Sequence, residues 1–208
     1  MIPIETIGVF FLASIALGIA PGPDNIFVLT QSALSGRTAG LIVTLGLCTG
    51  LIAHTLAVAF GVAVIFQTSA MAFNALKLIG AAYLLYLAWQ AFRASPSALA
   101  TTADGKLPRR KLYLRGVIMN ITNPKVAIFF LAFLPQFADP ARGSMALQMV
   151  SFGGIFIVAT LIVFGAVAWA SGFVSTWLQR SERAQRMMNR VAGIVFVSLA
   201  ARLIVTER

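Results

Sequence analysis

The 208-residue sequence is poor in charged residues, cysteine and histidine, and each shortage excludes a class of function. Charged residues make up 11% of the chain, whereas a soluble domain carries about 25%, which excludes a soluble globular enzyme as the leading class. Cys48 is the one cysteine, so no intramolecular disulfide framework, CxxC redox pair or cysteine-cluster metal site can form. His54 is the one histidine and cannot build a multi-histidine metal centre. With no catalytic triad or phosphate loop recognisable either, we expect neither an enzyme nor a bound metal or cofactor.

Apolar residues are abundant instead, at 59% of the chain, which also excludes disorder. About 20 apolar residues suffice for one helix to cross a bilayer. The first apolar run is not preceded by the basic region of a signal peptide, so we expect a retained helix. The sequence predicts an all-α integral membrane protein with six transmembrane helices, in runs at about 4–29, 39–66, 71–92, 114–137, 146–169 and 191–205.

The net charge of +10 follows from basic residues that lie between the apolar runs. In a soluble chain this charge would indicate a nucleic-acid partner. Here the positive-inside rule explains it, so we expect a lipid bilayer and no nucleic acid as partner. The three alternate connections hold one, six and four Lys or Arg residues, against at most three on the other side. We therefore predict a multi-pass membrane protein with both termini outside and the three basic connections in the cytoplasm.

The chain divides into two similar halves around a linker at about 94–113 that contains Pro96, Gly105 and Pro108. The segment Lys77-x-x-Gly80-x-x-Tyr83 recurs as Arg190-x-x-Gly193-x-x-Phe196. Three spans in each half place the second half in the opposite orientation, as in many secondary transporters. We predict one transmembrane domain over 1–208, with inverted repeats of three helices at about 1–93 and 114–208 joined by a cytoplasmic linker.

The first helix of each repeat is expected to be broken at proline. Pro21-Gly22-Pro23 interrupts the first run, and Asn123-Pro124 interrupts the fourth. Proline removes a helical hydrogen bond, and inside lipid the freed backbone groups need partners in protein or water. Proline also suits the first position of a restarted helix, and Asn123 suits its N-cap. The alternative is that Pro21-Gly22-Pro23 simply ends the first span, with Asp24 and Asn25 in a cytoplasmic turn.

Two restarted helices would each present a partial positive charge to the membrane interior, where a substrate carboxylate could bind. Asp24 could then pair with Lys125, or receive the substrate ammonium or a proton. His54 is a second candidate for proton coupling, and a purely structural role is the alternative. The predicted substrate-binding residues are Pro21, Gly22, Pro23, Asp24, Asn25, Asn120, Asn123, Pro124 and Lys125.

These motifs resemble the lysine-exporter (LysE/RhtB) family of bacterial amino-acid efflux proteins. The resemblance rests on Ala20-Pro21-Gly22-Pro23-Asp24-Asn25 and on Asn120-x-x-Asn123-Pro124-Lys125, which is followed by the run 129–137, FFLAFLPQF. It extends over essentially the whole chain. It implies an inner-membrane exporter of amino acids or close derivatives that is driven by the proton gradient.

The resulting prediction is secondary-active efflux of a small neutral amino acid or derivative, such as threonine, homoserine or its lactone, or leucine, by proton antiport. One alternative is efflux of another small solute or of an inorganic cation. Asp24 is the one acidic residue deep in an apolar run, so a divalent cation would be poorly compensated. A membrane subunit without transport activity is a further alternative, and a homo-oligomer is left open.

Overall fold

The computed structural model describes residues 2–20, 22–62, 70–94, 107–170 and 182–205, and this part of the chain is all-α. Its α-helices are α1 (Ile4–Ile19), α2 (Pro23–Ser35), α3 (Arg37–Ala57), α4 (Ala70–Arg93), α5 (Arg109–Ile121), α6 (Pro124–Ile128), α7 (Met145–Trp169) and α8 (Glu182–Val205). Helix α3 continues into a π-helical turn, Val58–Val62. Helix α6 continues through a π-helical turn, Phe129–Phe133, into the 3₁₀ turn Leu134–Phe137, and a further 3₁₀ turn covers Pro140–Arg142.

Among the described residues, four helical stretches are each long and apolar enough to cross a membrane: Arg37–Gly61, Asn74–Arg93, Met145–Trp169 and Gln185–Val205. Two bent pairs meet the same test when each is taken as one span, which gives up to six crossings. The α1–α2 pair bends by 64°, and the pair formed by α5 and Pro124–Phe137 bends by 48°. The prediction of an all-α integral membrane protein is confirmed.

Two helices begin earlier in the chain than their apolar runs. The fourth run was predicted to start near residue 114, but α5 begins at Arg109 behind Pro108 in the N-cap position. The sixth run was predicted to start near residue 191, but α8 begins at Glu182. Lys and Arg are good helix formers, so basic residues extend a helix beyond the part that lipid would cover. Most of the predicted linker, residues 95–106, lies outside the described residues.

Glycines allow α3 and α5 to pack with their backbones in contact. A Cβ on Gly46 would collide with the carbonyl oxygen of Tyr113, and a Cβ on Gly116 would collide with the carbonyl oxygen of Val43. One turn further along α3, a Cβ on Gly50 would lie 2.6 Å from Oδ1 of Asn120. The small residues at 46 and 50 therefore bring α5 close to α3 and leave room for the Asn120 side chain.

Helices α4 and α8 also pack closely, and they run antiparallel. A Cβ on Gly80 would collide with the Cβ of Ala132 and would lie 3.2 Å from Leu203, near the end of α8. A Cβ on Gly193 would lie 2.6 Å from the ring of Phe92, near the end of α4. Gly80 therefore makes room mainly for the π-helical turn that follows α6, whereas Gly193 makes room for α4.

Buried phenylalanines from three parts of the chain fill the core between α1, α7 and the π-helical and 3₁₀ continuation of α6. The ring of Phe10 lies 4.8 Å from that of Phe152 and 5.0 Å from that of Phe137, centroid to centroid. Offset and edge-on aromatic pairs at such distances are stabilising. This cluster, which we call the phenylalanine plug, consists of Phe10, Phe129, Phe133, Phe137, Phe152 and Phe156.

Candidate functional site

The first helix break leaves backbone carbonyls of α1 that proline cannot satisfy. In a continuous helix the carbonyl of Leu17 would accept from the N–H of residue 21, but residue 21 is proline and has none. The ammonium of Lys125 takes its place and donates to the carbonyls of Leu17 at 3.2 Å and Ala20 at 3.0 Å. The amide of Asn25 donates to Gly18 at 2.7 Å. A cation at this end also suits the negative pole of the helix dipole.

The second helix break is capped as the sequence predicts. Asn123 is the N-cap of α6, and its Oδ1 accepts from the backbone N–H of Lys125 at 3.0 Å. Pro124 occupies the first helical position, where no N–H is needed. The carbonyl of Asn120, which would accept from the N–H of residue 124 in a continuous helix, accepts instead from the backbone N–H of Asn123 at 3.1 Å. His54 Nε2 on α3 lies 3.2 Å from the same oxygen. Because a carbonyl only accepts, Nε2 must carry the hydrogen in this contact.

The two breaks meet inside the protein, and Asn123 joins them. Its Nδ2 donates to Oδ2 of Asp24 at 2.8 Å, across 99 positions of the sequence. Asp24 is 3% exposed and Lys125 is 8% exposed, so two ionisable groups lie within the fold. Asp24 and Lys125 are therefore linked through the side chain of Asn123. Its Nδ2 donates to the carboxylate of Asp24, and its Oδ1 accepts from the backbone N–H of Lys125.

Two polar atoms at the meeting point lack a partner in the described part of the chain, and both are oxygens that accept hydrogen bonds: Oδ1 of Asp24 and Oδ1 of Asn25. Oδ1 of Asn120, which lies against Gly50 of α3, also lacks a partner there. The Lys125 ammonium has three N–H groups, and two are used by Leu17 and Ala20. Buried acceptors without donors are costly, so such atoms mark a place where a ligand or water completes the hydrogen bonding. The arrangement offers acceptors for an ammonium and a donor for a carboxylate.

Gly22 provides space beside Lys125. A Cβ at this position would lie 3.2 Å from Nζ of Lys125 and 3.8 Å from Oδ1 of Asn25. The glycine thus keeps a side chain away from both the ammonium and one of the unpaired oxygens. Pro23 and Pro124 each begin a half-helix and have exposed side chains, so their contribution is to the backbone geometry.

The structure brings most of the predicted site residues together. Asp24, Asn25, Asn123 and Lys125 contact one another or the end of α1, as described above. Asn120 lies one turn before the second break and is 3% exposed, and His54 is half-buried with its ring 5.6 Å from that of Phe130. Pro21 lies outside the described residues.

A cavity beside Lys125 was not found by reasoning from the sequence. It has a volume of about 380 Å³ and lies between the end of α4, the first half of α8 and Lys125. Asn189 lines it from α8 and is 8% exposed. In the sequence, Asn189 stands within the basic run 180–190 and is not among the predicted site residues. The one feature of the sequence that could have indicated Asn189 is the position of its amide directly before the repeated Arg190-x-x-Gly193 segment.

Comparison with known proteins identifies the family. Residues 15–207 match the family model described as LysE type translocator. The homoserine/homoserine lactone efflux proteins of Salmonella typhimurium and Salmonella typhi are each 31% identical over 194 residues, which is 93% of this chain and 93% of each relative. An uncharacterised membrane protein of Vibrio cholerae is 30% identical over 188 residues, covering 90% of this chain and 91% of its own. No solved structure gives a significant match.

The match over nearly the whole chain agrees with the broken helices and with the bundle of apolar helices. It confirms the resemblance that the two proline motifs indicate, and it identifies a multi-pass membrane transporter rather than an enzyme. The chain belongs to the LysE type translocator family.

Proposed function

We propose that this protein exports a small neutral amino acid or derivative, such as threonine, homoserine or its lactone, or leucine, across the bacterial inner membrane. The family and the names of the Salmonella relatives support amino-acid efflux as the class of activity. The observation that carries the proposal is the buried meeting of the two helix breaks, where Asn123 links Asp24 to Lys125.

The charges at the breaks match an amino-acid zwitterion. The substrate carboxylate would accept from the remaining N–H of Lys125, and its ammonium would donate to Oδ1 of Asp24 and to Oδ1 of Asn25, which lack donors in the described residues. One buried acid and one buried base compensate one zwitterion. A second cationic group on the substrate would find no further carboxylate in this set, and a divalent metal ion would also lack a second carboxylate. This favours an uncharged side chain over a dibasic substrate or an inorganic cation.

The proposed transport cycle depends on six spans arranged as two inverted repeats. The antiparallel packing of α4, the third helix of the first predicted repeat, against α8, the third helix of the second, supports a two-fold relation between the halves. The two half-helices that begin at proline, α2 at Pro23 and α6 at Pro124, support it as well. Rocking of one repeat against the other about the breaks would expose the site to each side in turn. Both termini lie outside in this arrangement, with the basic connections in the cytoplasm.

Proton antiport is the proposed energy source, and Asp24 is the proposed proton carrier. Its carboxylate is buried, next to the proposed ammonium site, so proton and substrate ammonium would compete for the same oxygens. His54 is the second candidate, but its Nε2 hydrogen is already donated to the backbone carbonyl of Asn120. That contact favours a structural role for His54.

The test is efflux from cells that overproduce the protein and are fed a panel of dipeptides, with each free amino acid measured outside. The wild type should release one small neutral amino acid faster than cells without the protein. Asp24→Asn should abolish this release, because the variant retains an acceptor for Asn123 but cannot carry a proton or pair with an ammonium.

Asp139→Asn is the matched control, because Asp139 lies in an exposed turn and Asn also caps helices. Both variants must be inserted at wild-type levels, which is measured by immunoblotting of washed membranes. Normal efflux by correctly inserted Asp24→Asn would reject the proposed role of Asp24. Absence of any amino-acid release by the wild type would reject the proposed function.

A further inference from the structure

The cavity beside Lys125 has a distinct chemical lining. Its polar side chains are the cations Lys125 and Arg93 and the amides Gln90 and Asn189, and no acidic residue lines it within the described part of the chain. Its apolar lining includes Leu87 and Phe196, together with Ala91. At about 380 Å³ its volume lies in the range of roughly 300–1,000 Å³ that is typical of small-ligand sites.

The cavity joins the helix breaks to one end of the bundle. Lys125 lies at the breaks, whereas Arg93 and Ala94 are at the end of α4, where the basic linker begins. Asn189 lies in the basic first half of α8, and its side-chain amide donates to the carbonyl of Ala94 at 3.4 Å. Basic segments mark the cytoplasmic side. The cavity therefore leads from the breaks toward the cytoplasm.

The opposite direction is filled by the phenylalanine plug. Phe10 lies in the first half of α1 and Phe152 near the start of α7, at the ends of these helices that face away from the basic linker. Phe10 and Phe152 are both 0% exposed. Among the described residues, this route is open on the basic side and packed with aromatic rings on the other, as expected of an inward-facing state.

We propose that this cavity is the cytoplasmic access chamber for the substrate, with Lys125 at its inner end and the contact between Asn189 and Ala94 at its mouth. The inference rests on the proposed function and extends its site to Ala91, Asn189 and Phe196. The chamber admits amino carboxylates whose side chain carries no charge, because Arg93 and Lys125 attract a carboxylate while repelling a cationic side chain. Leu87, Ala91 and Phe196 provide a surface for the carbon skeleton.

The test uses a single thiol placed in the chamber of the full-length protein. Cys48 is replaced by Ala, and Ala91→Cys is treated with a charged maleimide that does not cross membranes. The matched control is Ala82→Cys, an exposed position on the same helix where lipid would contact α4. Inside-out vesicles should allow alkylation of Ala91→Cys, right-side-out vesicles should not, and Ala82→Cys should be unreactive in both.

Protection by substrate then distinguishes a chamber from a merely accessible helix end. At ten times its dissociation constant, threonine or homoserine should slow the alkylation of Ala91→Cys about tenfold, because a filled site excludes the reagent. Lysine at the same concentration should give no protection. Labelling of Ala91→Cys from the outside only, or equal labelling with and without substrate, would overturn the proposal.

A bulky side chain provides a second measurement. Ala91→Trp should fill the chamber and reduce efflux at least tenfold, whereas Ala82→Trp should export like the wild type. Equal export by both inserted variants would also overturn the proposal. A negative result in the labelling experiment or with Ala91→Trp would leave the proposed function standing, because that function is rejected only if the wild type exports no amino acid.

Discussion

Asn123 makes two contacts whose loss can be measured separately. Its Oδ1 caps α6, and its Nδ2 donates to the buried carboxylate of Asp24. Loss of an N-cap costs about 1 kcal/mol, and a hydrogen bond to a charged group contributes about 1.5–3 kcal/mol. Asn123→Ala should therefore lower the free energy of unfolding by about 2.5–4 kcal/mol. Asn123→Ser keeps a capping oxygen on a shorter side chain, so it should lose only the contact with Asp24.

A double-mutant cycle isolates the contact between the two breaks. The variants are Asp24→Ala, Asn123→Ala and the double replacement, and unfolding is followed by circular dichroism in mixed micelles with increasing sodium dodecyl sulfate. Because each residue loses its partner in either single variant, the double variant should be less destabilised than the sum of the two. We expect a coupling of about 1.5–3 kcal/mol, as for a hydrogen bond to a charged group.

The outcome decides whether the breaks are joined. A coupling below about 0.5 kcal/mol is the value expected for independent sites and would refute the joining of the two breaks through Asn123. Equal destabilisation by Asn123→Ser and Asn123→Ala would show that the cap contributes nothing.

Three further predictions concern packing, proton coupling and substrate affinity. Gly46→Ala should destabilise the protein by about 1–3 kcal/mol through a clash with the backbone of α5, whereas Gly154→Ala, which faces open space, should be neutral or slightly stabilising in the same unfolding assay. His54→Gln should retain efflux with an unchanged pH dependence, and a shifted pH profile would transfer proton coupling to His54. Lys125→Gln should raise the half-saturating substrate concentration in everted vesicles. Lys111→Gln, at the exposed basic start of α5, should leave it unchanged. Equal half-saturating concentrations for the two variants would exclude Lys125 from substrate binding.

The sequence predicts the breaks themselves because proline chemistry is local. Two prolines around Gly22 cannot continue a helix, and Asn before Pro124 is a strong start signal, whatever packs around them. The apolar runs likewise predict the helices, since their length is set by the bilayer. The predicted starts of α5 and α8 were less accurate, because basic residues such as Arg109 and Arg183 extend these helices without adding to the apolar pattern.

The partners at the site depend on three-dimensional packing and could not be predicted. Nothing local indicates that Lys125 serves the carbonyls of Leu17 and Ala20, more than a hundred positions earlier. The same holds for the contact of His54 with the carbonyl of Asn120, which also accepts from the backbone N–H of Asn123. At the first break proline predicts an unsatisfied carbonyl, that of Leu17, and the fold determines which side chain satisfies it. Asn189 could be identified as a candidate site residue only from the cavity that it lines.

Equilibrium binding of radiolabelled threonine and homoserine to the purified protein in lipid nanodiscs tests most directly whether the joined breaks form the amino-acid site. Asp24→Asn and Lys125→Gln should each weaken binding at least about tenfold, which corresponds to about 1.4 kcal/mol. The wild type, Asp139→Asn and Lys111→Gln should bind with equal affinity. Retention of wild-type affinity by both Asp24→Asn and Lys125→Gln would contradict the account, because the substrate would then bind away from the two breaks.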